Sequence, residues 1–159
     1  MDEAAKKTTL RYIPYGLFVV GTKDDAGKVN AFAANWLTQT SFKPPLVVMA
    51  AKADAPSTAQ VEQSKIFCVN VIESGGTALA SKFFGHVEPE GNKFGDVEFS
   101  LSPNGCPVLK DALGYFECRL VDKLALGDHT ILVGEVVEAA VQKEGAPLTL
   151  KETGFNYGG

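Results

Sequence analysis

This chain has few of the residues and motifs on which site chemistry is usually built. Its 159 residues include only two histidines, His86 and His129. Neither has partners at metal-ligand spacing, so no zinc site is expected, and no other metal. The three cysteines, Cys68, Cys106 and Cys118, are odd in number and form no CxxC pair. That excludes a disulfide framework and a cysteine zinc cluster. There is no GxGxxG and no P-loop, so neither common Gly-rich phosphate motif is present. No GxSxG occurs, and no Ser or Cys stands in a recognisable nucleophile context. No apolar run has the length of a membrane-spanning helix. The first residues, Met1-Asp2-Glu3-Ala4-Ala5-Lys6-Lys7, are charged and lack an apolar signal core. The expected location is the cytoplasm. Net charge is −4 with no long basic run, which argues against nucleic acid or an anionic membrane as partner.

What is present is mostly β-type sequence of a length that suits one domain, residues 1–159, able to bury a sizeable core. Tyr15 to Thr22 is a β-rich run. Asp24-Asp25-Ala26-Gly27 supplies turn chemistry, and Lys28 to Ala33 returns as the second arm of a hairpin. Leu46 to Ala51 is continuously apolar and reads as a strand buried on both faces. Ile66 to Ile72 is another strand. Ala112 to Leu126 and Thr130 to Gln142 are long β-type runs meeting at Gly127-Asp128, a long hairpin. Helices are expected over residues 2–8, from Ser57 to about Lys65, and from Thr77 to about Phe84. Ser57-Thr58-Ala59-Gln60 has the form of a capping box. The pattern is mainly β with a few short helices. Six or more strands favour an antiparallel barrel, since closure removes exposed edges.

Three segments can carry chemistry. Ala33-Ala34-Asn35-Trp36, running on to Ser41 and Pro44-Pro45, is too polar for a core strand yet holds the only tryptophan. Small residues at 33 and 34 let a flat ligand approach the backbone, while a surface edge strand explains the same residues as well. Lys52 to Thr58 follows an apolar strand and opens a helix. Free N–H groups, the positive dipole end, the Lys52 charge and two hydroxyls make a phosphate cradle, or merely an ordinary capped helix. Gly127-Asp128-His129-Thr130 puts a group that titrates near neutral pH at the mouth of a strand. Phe83 and Phe84 read as core, His86 as an exposed loop residue, Cys68 as a buried thiol, and Asp128 as a residue that shapes its turn.

Taken together, four stretches in order resemble the flavin reductase-like family of FMN-binding split β-barrels. They are Tyr15-Gly16-Leu17-Phe18-Val19-Val20, the Asn35 to Leu46 segment with its Ser41 and Pro44-Pro45, Phe67-Cys68-Val69-Asn70-Val71, and Gly127-Asp128-His129 followed by Gly134-Glu135-Val136. The resemblance runs from about Tyr15 to Val141. It implies a homodimer with FMN, or alternatively FAD, near the interface. It implies that Ala33, Ala34, Asn35, Trp36 and Ser41 contact the isoalloxazine and ribityl chain, and that Lys52, Ser57 and Thr58 hold the phosphate. Lys93 lies in a Lys-Phe pair resembling one in the flavoredoxin-like subset and would also reach the flavin. His129 would stand where the nicotinamide docks and orient the hydride donor. Trp36 departs from the small or polar residue usual after that Asn. Ala55-Pro56 stands where many members have Arg or His. The tail from Glu152 to Gly159 lies outside the matched part.

The implied activity is hydride transfer from NADH or NADPH to FMN, with electrons passed on to an electron-accepting protein or an oxygenase. Such chemistry is carried by the cofactor and needs no acid–base triad, in keeping with the motifs this chain lacks. The alternatives are an FMN-binding electron carrier reduced by a partner protein, and a split barrel that has lost flavin and serves as a binding module.

Overall fold

A computed structural model describes all residues, Met1–Gly159. Helix α1 (Glu3–Arg11) starts at Asp2, whose carboxylate accepts from the Ala4 and Ala5 amides. Strand β1 (Phe18–Lys23) turns back into β2 (Val29–Ala34) in an antiparallel ladder from Phe18↔Ala34 to Lys23↔Val29. The turn closes because the Asp24 carboxylate accepts from Lys28 N–H at 2.8 Å, with Gly27 at φ +84. Both arms match the sequence expectation to within three residues.

After β2 come β3 (Leu37–Phe42) and β4 (Pro45–Lys52), then helix α2 (Pro56–Ser64), β5 (Ile66–Val71) and the short helix α3 (Thr77–Ser81). Strand β4 is not buried on both faces as its continuous apolar run suggested. Val47, Met49 and Ala51 are buried, while Leu46, Val48 and Ala50 are only half-buried. Of that second face, Ala50 borders the site described below. The hairpin β10 (Gly114–Ala125) and β11 (His129–Val141) forms as expected, with two register shifts. Between α3 and β10 lies a small sheet that the sequence reading missed: β6 (Pro89–Glu90), β7 (Lys93–Phe94), β8 (Val97–Leu101) and β9 (Pro107–Leu109). Its strands are too short to show periodicity. A last helical turn, α4 (Leu150–Thr153), ends at Gly154 in the left-handed conformation.

The main sheet runs β2-β1-β5-β10-β11-β4-β3, antiparallel throughout. Its two edge strands, β2 and β3, are consecutive in the chain, joined only by Asn35-Trp36. The sheet therefore curls round on itself, and the barrel is bridged at its split by chain and not by a ladder. The Ala50 N–H donates to the Trp36 carbonyl at 2.9 Å, carrying the β3–β4 ladder one residue into this connection.

Two residues of the family-like stretches prove to be packing devices. Asn70 is fully buried and completely paired. Its Nδ2 donates to the Val19 and Pro107 carbonyls at 3.1 and 3.2 Å, and its Oδ1 accepts from Leu109 N–H at 2.7 Å. It ties β5 to β1 and to the small sheet. At Gly134 a Cβ would meet the Phe67 ring at 2.6 Å, so the Gly of Gly-Glu-Val makes room for a buried aromatic. Three buried clusters fill the interior, one around Phe83, Phe94 and Leu109, a second around Met49, Phe67 and Leu132, and a third around Cys68 and Cys106.

Candidate functional site

The site grows from one register. In the β11–β4 ladder His129 lies opposite Lys52. The Ala53 N–H then donates to the Asp128 carbonyl at 2.9 Å, holding both strand ends together. Beside them stands the end of β2, whose Ala31, Ala33 and Ala34 are small. These elements enclose a cavity of about 630 Å³, well within the range that takes cofactors and small ligands. Ala33 and Ala34 of β2 and Ala50 and Ala51 of β4 line it with small residues. Lys52, Pro56 and Ser57 form one end, and His129 stands at the wall.

The Lys52 end has the chemistry of an anion site. Helix α2 begins at Pro56, with Ala55 at its N-cap and no side-chain cap. The expected capping box does not form: Ser57 and Thr58 lie inside the first turn, because Pro at the first helical position sets the start one residue earlier. With no capping side chain, the positive helix end is left for a ligand. Ser57 lines the cavity and is buried. Thr58 does not line it; its hydroxyl donates to the Lys52 carbonyl at 2.8 Å, so it fastens α2 to the end of β4. The Lys52 ammonium pairs with Asp54 at 3.4 Å, both side chains being largely exposed, and its charge also reaches the Asp128 carboxylate. Asn30, also in the cavity wall, donates to Gln60 Oε1 at 3.0 Å and leaves its own Oδ1 buried without a partner. Such an orphan is uncommon.

Opposite Lys52 on the neighbouring strand, the His129 side chain is only 13% exposed. Its Nδ1 lies 2.9 Å from Asp128 Oδ1 and its Nε2 lies 2.8 Å from the Tyr157 hydroxyl. A carboxylate only accepts, so Nδ1 carries the hydrogen, and in the neutral ring Nε2 presents a lone pair to the Tyr157 O–H. The hydrogen bond from His129 holds the Asp128 carboxyl below the usual carboxylate range. Asp128 thus sets the orientation and tautomer of His129, a role beyond shaping the turn. The Trp36 ring centroid lies 4.6 Å from that of His129 and 5.4 Å from that of Tyr157.

The structure therefore brings Ala33, Ala34, Asn35, Lys52, Ser57 and His129 to one cavity, with Trp36 packed beside His129. Ser41 and Lys93 stand apart from the cavity of this chain. Ser41 lies on the edge strand β3, and Lys93 on β7 is 3.5 Å from Glu98. Residues that the sequence reading did not assign also line the cavity. Phe84, expected in the core, is 53% exposed and faces the site, while Phe83 is buried as expected. His86 is exposed as expected, yet it too lines the cavity and pairs with Glu88 at 2.9 Å. Phe155, Asn156 and Tyr157 complete the wall. No local sequence signal marks these last three, since they arrive by long-range folding of the segment after α4.

The cysteines play no part. All three are buried; burial pushes the Cys68 thiol up, and the Cys106 and Cys118 thiols up to about 12. No cluster of His, Cys, Asp or Glu is arranged to hold a metal ion, and no helix is long and apolar enough to cross a membrane.

Comparison with known proteins identifies the family and the fold. The profile of the flavin reductase like domain matches residues 10–159, and so includes the tail that the sequence resemblance left out. A flavin reductase from Pseudomonas putida is 30% identical over 153 residues, 96% of this chain and 87% of that protein. The reductase subunit HsaB of a flavin-dependent monooxygenase from Rhodococcus jostii is 31% identical over 148 residues, covering 93% and 74%. Other relatives are longer, and the chain spans 57% of one and 22% of another. Among solved structures, the flavin reductase HpaC complexed with NADP+ superposes with a TM-score of 0.76 at 29% identity, over 94% of this chain and 92% of that one. These likenesses point to the wider family and single out no flavoredoxin-like subset. The chain belongs to the flavin reductase-like domain family and has its FMN-binding split-barrel fold.

Proposed function

We propose that this protein is an NAD(P)H:flavin oxidoreductase that holds FMN in the β2–β4–α2 cavity. The observation that carries the reading is the lining of that cavity: small alanines on β2 and β4, with Lys52, its register partner His129 and an uncapped helix end gathered at one place. The alanines let a planar ring system approach the backbone, and Lys52 with the helix end suits a phosphate. Bound there, the flavin would supply the hydride and electron chemistry. Ala33, Ala34 and Asn35 would border the ring system. Lys52 and the Ser57 hydroxyl and N–H would bind the phosphate. His129, oriented by Asp128, would position the nicotinamide, since such a transfer depends on near-attack stacking. Neither Ser41, Lys93 nor Thr58 is needed for this reading. FAD fits the same anion end as an alternative.

The reductase subunit among the relatives supports an onward partner of the oxygenase class or another electron acceptor. Exposed apolar side chains, Phe42 at 86% and Leu126 at 85%, favour a homodimer; sedimentation of the purified protein as a monomer at micromolar concentration would rule that out. The principal test is anaerobic mixing of FMN-loaded protein with NADH and with NADPH. Bleaching of the flavin absorbance by at least one is expected. Bound FMN that neither donor bleaches would leave an electron carrier reduced by a partner protein. A colourless protein that takes up no FMN on titration would refute both.

A further inference from the structure

The Trp36 and His129 rings pack together at 4.6 Å, and their shared edge is covered. Tyr157 lies against it, its hydroxyl on His129 Nε2 and its ring tilted against the indole. The segment that brings it there is lightly held. Helix α4 is fixed to the barrel, with Leu150 buried and its N–H donating to the Tyr15 carbonyl at 2.9 Å. Beyond the left-handed Gly154 there is no backbone ladder. Apart from the Tyr157 ring and hydroxyl, residues 155–158 are held by an edge-on Phe84–Phe155 pair, the Phe155 N–H donating to Thr153 Oγ1 at 3.1 Å, a long 3.4 Å bond from Asn35 Nδ2 to the Tyr157 carbonyl, and Arg11 Nε donating to the Gly158 carbonyl at 3.1 Å.

This seat is also imperfect. The Trp36 indole N–H is buried with no partner. Gly158 lies against the same edge, where a Cβ would stand 3.8 Å from Trp36 Nε1. An orphaned buried donor is costly, and anything that offers it an acceptor gains from doing so. Trp36 and His129 therefore offer, side by side, one unused N–H donor and one ring nitrogen whose lone pair is exposed once Tyr157 leaves. A primary carboxamide on a planar ring has the complementary pair, a carbonyl oxygen and an N–H₂ group.

We propose that Tyr157 holds the seat of the hydride donor's carboxamide-bearing ring, and that residues 155–158 form a strap that lifts to admit it. The donor's carbonyl then accepts from Trp36 Nε1–H, and its N–H₂ donates to His129 Nε2. Asn35 Nδ2 is freed by the same movement. This rests on the reading above that the cavity takes FMN and a nicotinamide donor.

The test is calorimetric binding of NAD+ and NADP+, the unreactive oxidised forms, to FMN-loaded wild-type protein and to Tyr157→Ala and Tyr157→Phe. Tyr157→Ala is expected to bind the preferred nucleotide about tenfold tighter, with Tyr157→Phe between. Unchanged or weaker nucleotide binding in Tyr157→Ala, with FMN still bound, would make Tyr157 a fixed wall and overturn the strap. Wild-type protein that binds no FMN would instead refute the underlying reading, and the strap with it. A second arm needs no flavin. Trp36 is the only tryptophan, so its emission reports the strap directly. Tyr157→Ala should shift that emission to the red as the indole meets water, and an unshifted spectrum counts against displacement. In the third arm, Trp36→Phe removes the N–H and keeps a ring. It should reduce the preference for NAD+ over its nicotinic acid analogue, which carries a carboxylate in place of the carboxamide; an unaltered preference would remove Trp36 from the seat.

Discussion

Replacing Lys52 by Ala should weaken FMN binding while leaving riboflavin, which has no phosphate, almost unaffected. The Lys52 ammonium stands at the mouth of the cavity beside the bare end of α2, and its side chain is 63% exposed. A charge-assisted hydrogen bond contributes about 1.5–3 kcal/mol, and exposure to water puts this one at the low end. A loss of about 1.5 kcal/mol corresponds to roughly a tenfold rise in Kd. Riboflavin should change by no more than about twofold, the usual scatter for a surface substitution. Asp54 provides the crossed control. Its carboxylate lies 3.4 Å from Lys52 Nζ and competes with a phosphate for it. Asp54→Asn should therefore tighten FMN binding by about two- to threefold, the scale of an exposed ion pair. Quenching of flavin fluorescence on titration measures all five dissociation constants, those of wild type and Lys52→Ala for both flavins and that of Asp54→Asn for FMN. Equal weakening of FMN and riboflavin in Lys52→Ala would refute the assignment, because the lysine would then act on the ring or on the fold and not on the phosphate.

His129→Ala should slow reduction of bound flavin by NAD(P)H about tenfold, as expected for lost positioning, and should disturb FMN affinity much less; unchanged stopped-flow kinetics would remove His129 from donor positioning. Asn70→Ala breaks three buried hydrogen bonds and leaves the Leu109 N–H unpaired, at a cost of about 3–4 kcal/mol, so the melting temperature should fall by roughly 10 °C. The three buried thiols keep their protons in the folded chain well above their ordinary value of 9.0. Folding then contributes stability that is complete below pH 9 and declines as pH rises from there towards about 12, because the unfolded chain releases those protons first. Urea midpoints measured between pH 8 and pH 11 should fall accordingly, and a flat profile would contradict the burial of the thiols. The same burial should leave all three unreactive towards a disulfide reagent at neutral pH until the chain is unfolded.

Much of the barrel was legible because its strands are long enough to show their pattern. The β1–β2 hairpin carried its own turn chemistry, and the β10–β11 hairpin declared itself by two long β runs meeting at Gly-Asp. The small sheet from Pro89 to Leu109 was not legible, since its strands have two to five residues and depend on partners for their existence. At the site, Ala33 to Asn35, Lys52 and His129 were found because they sit on or beside long strands whose ends converge. The helix start was misread: Ser57 and Gln60 have the spacing of a capping box, but Pro56 takes the first helical position and turns Ser57 inward. Phe84 and Tyr157 were missed because nothing in their neighbours tells whether a lone aromatic faces a core or a ligand. Lys93 illustrates the converse: a motif drew attention to a side chain that this fold pairs with Glu98.

The bare cap at Ala55 places ligand affinity and resting stability in opposition at a single residue. A Ser, Asp or Asn there would stabilise α2 by about 1 kcal/mol, yet it would also supply the first turn with an internal acceptor and so compete with a phosphate. The chain forgoes that stabilisation when empty and, on the proposed reading, would recover it when the flavin phosphate caps the helix. A protein built in this way is most stable when loaded, and the vacant form becomes the one exposed to unfolding and proteolysis. Flavin supply would then set how much of this protein a cell retains as well as how much of it is active.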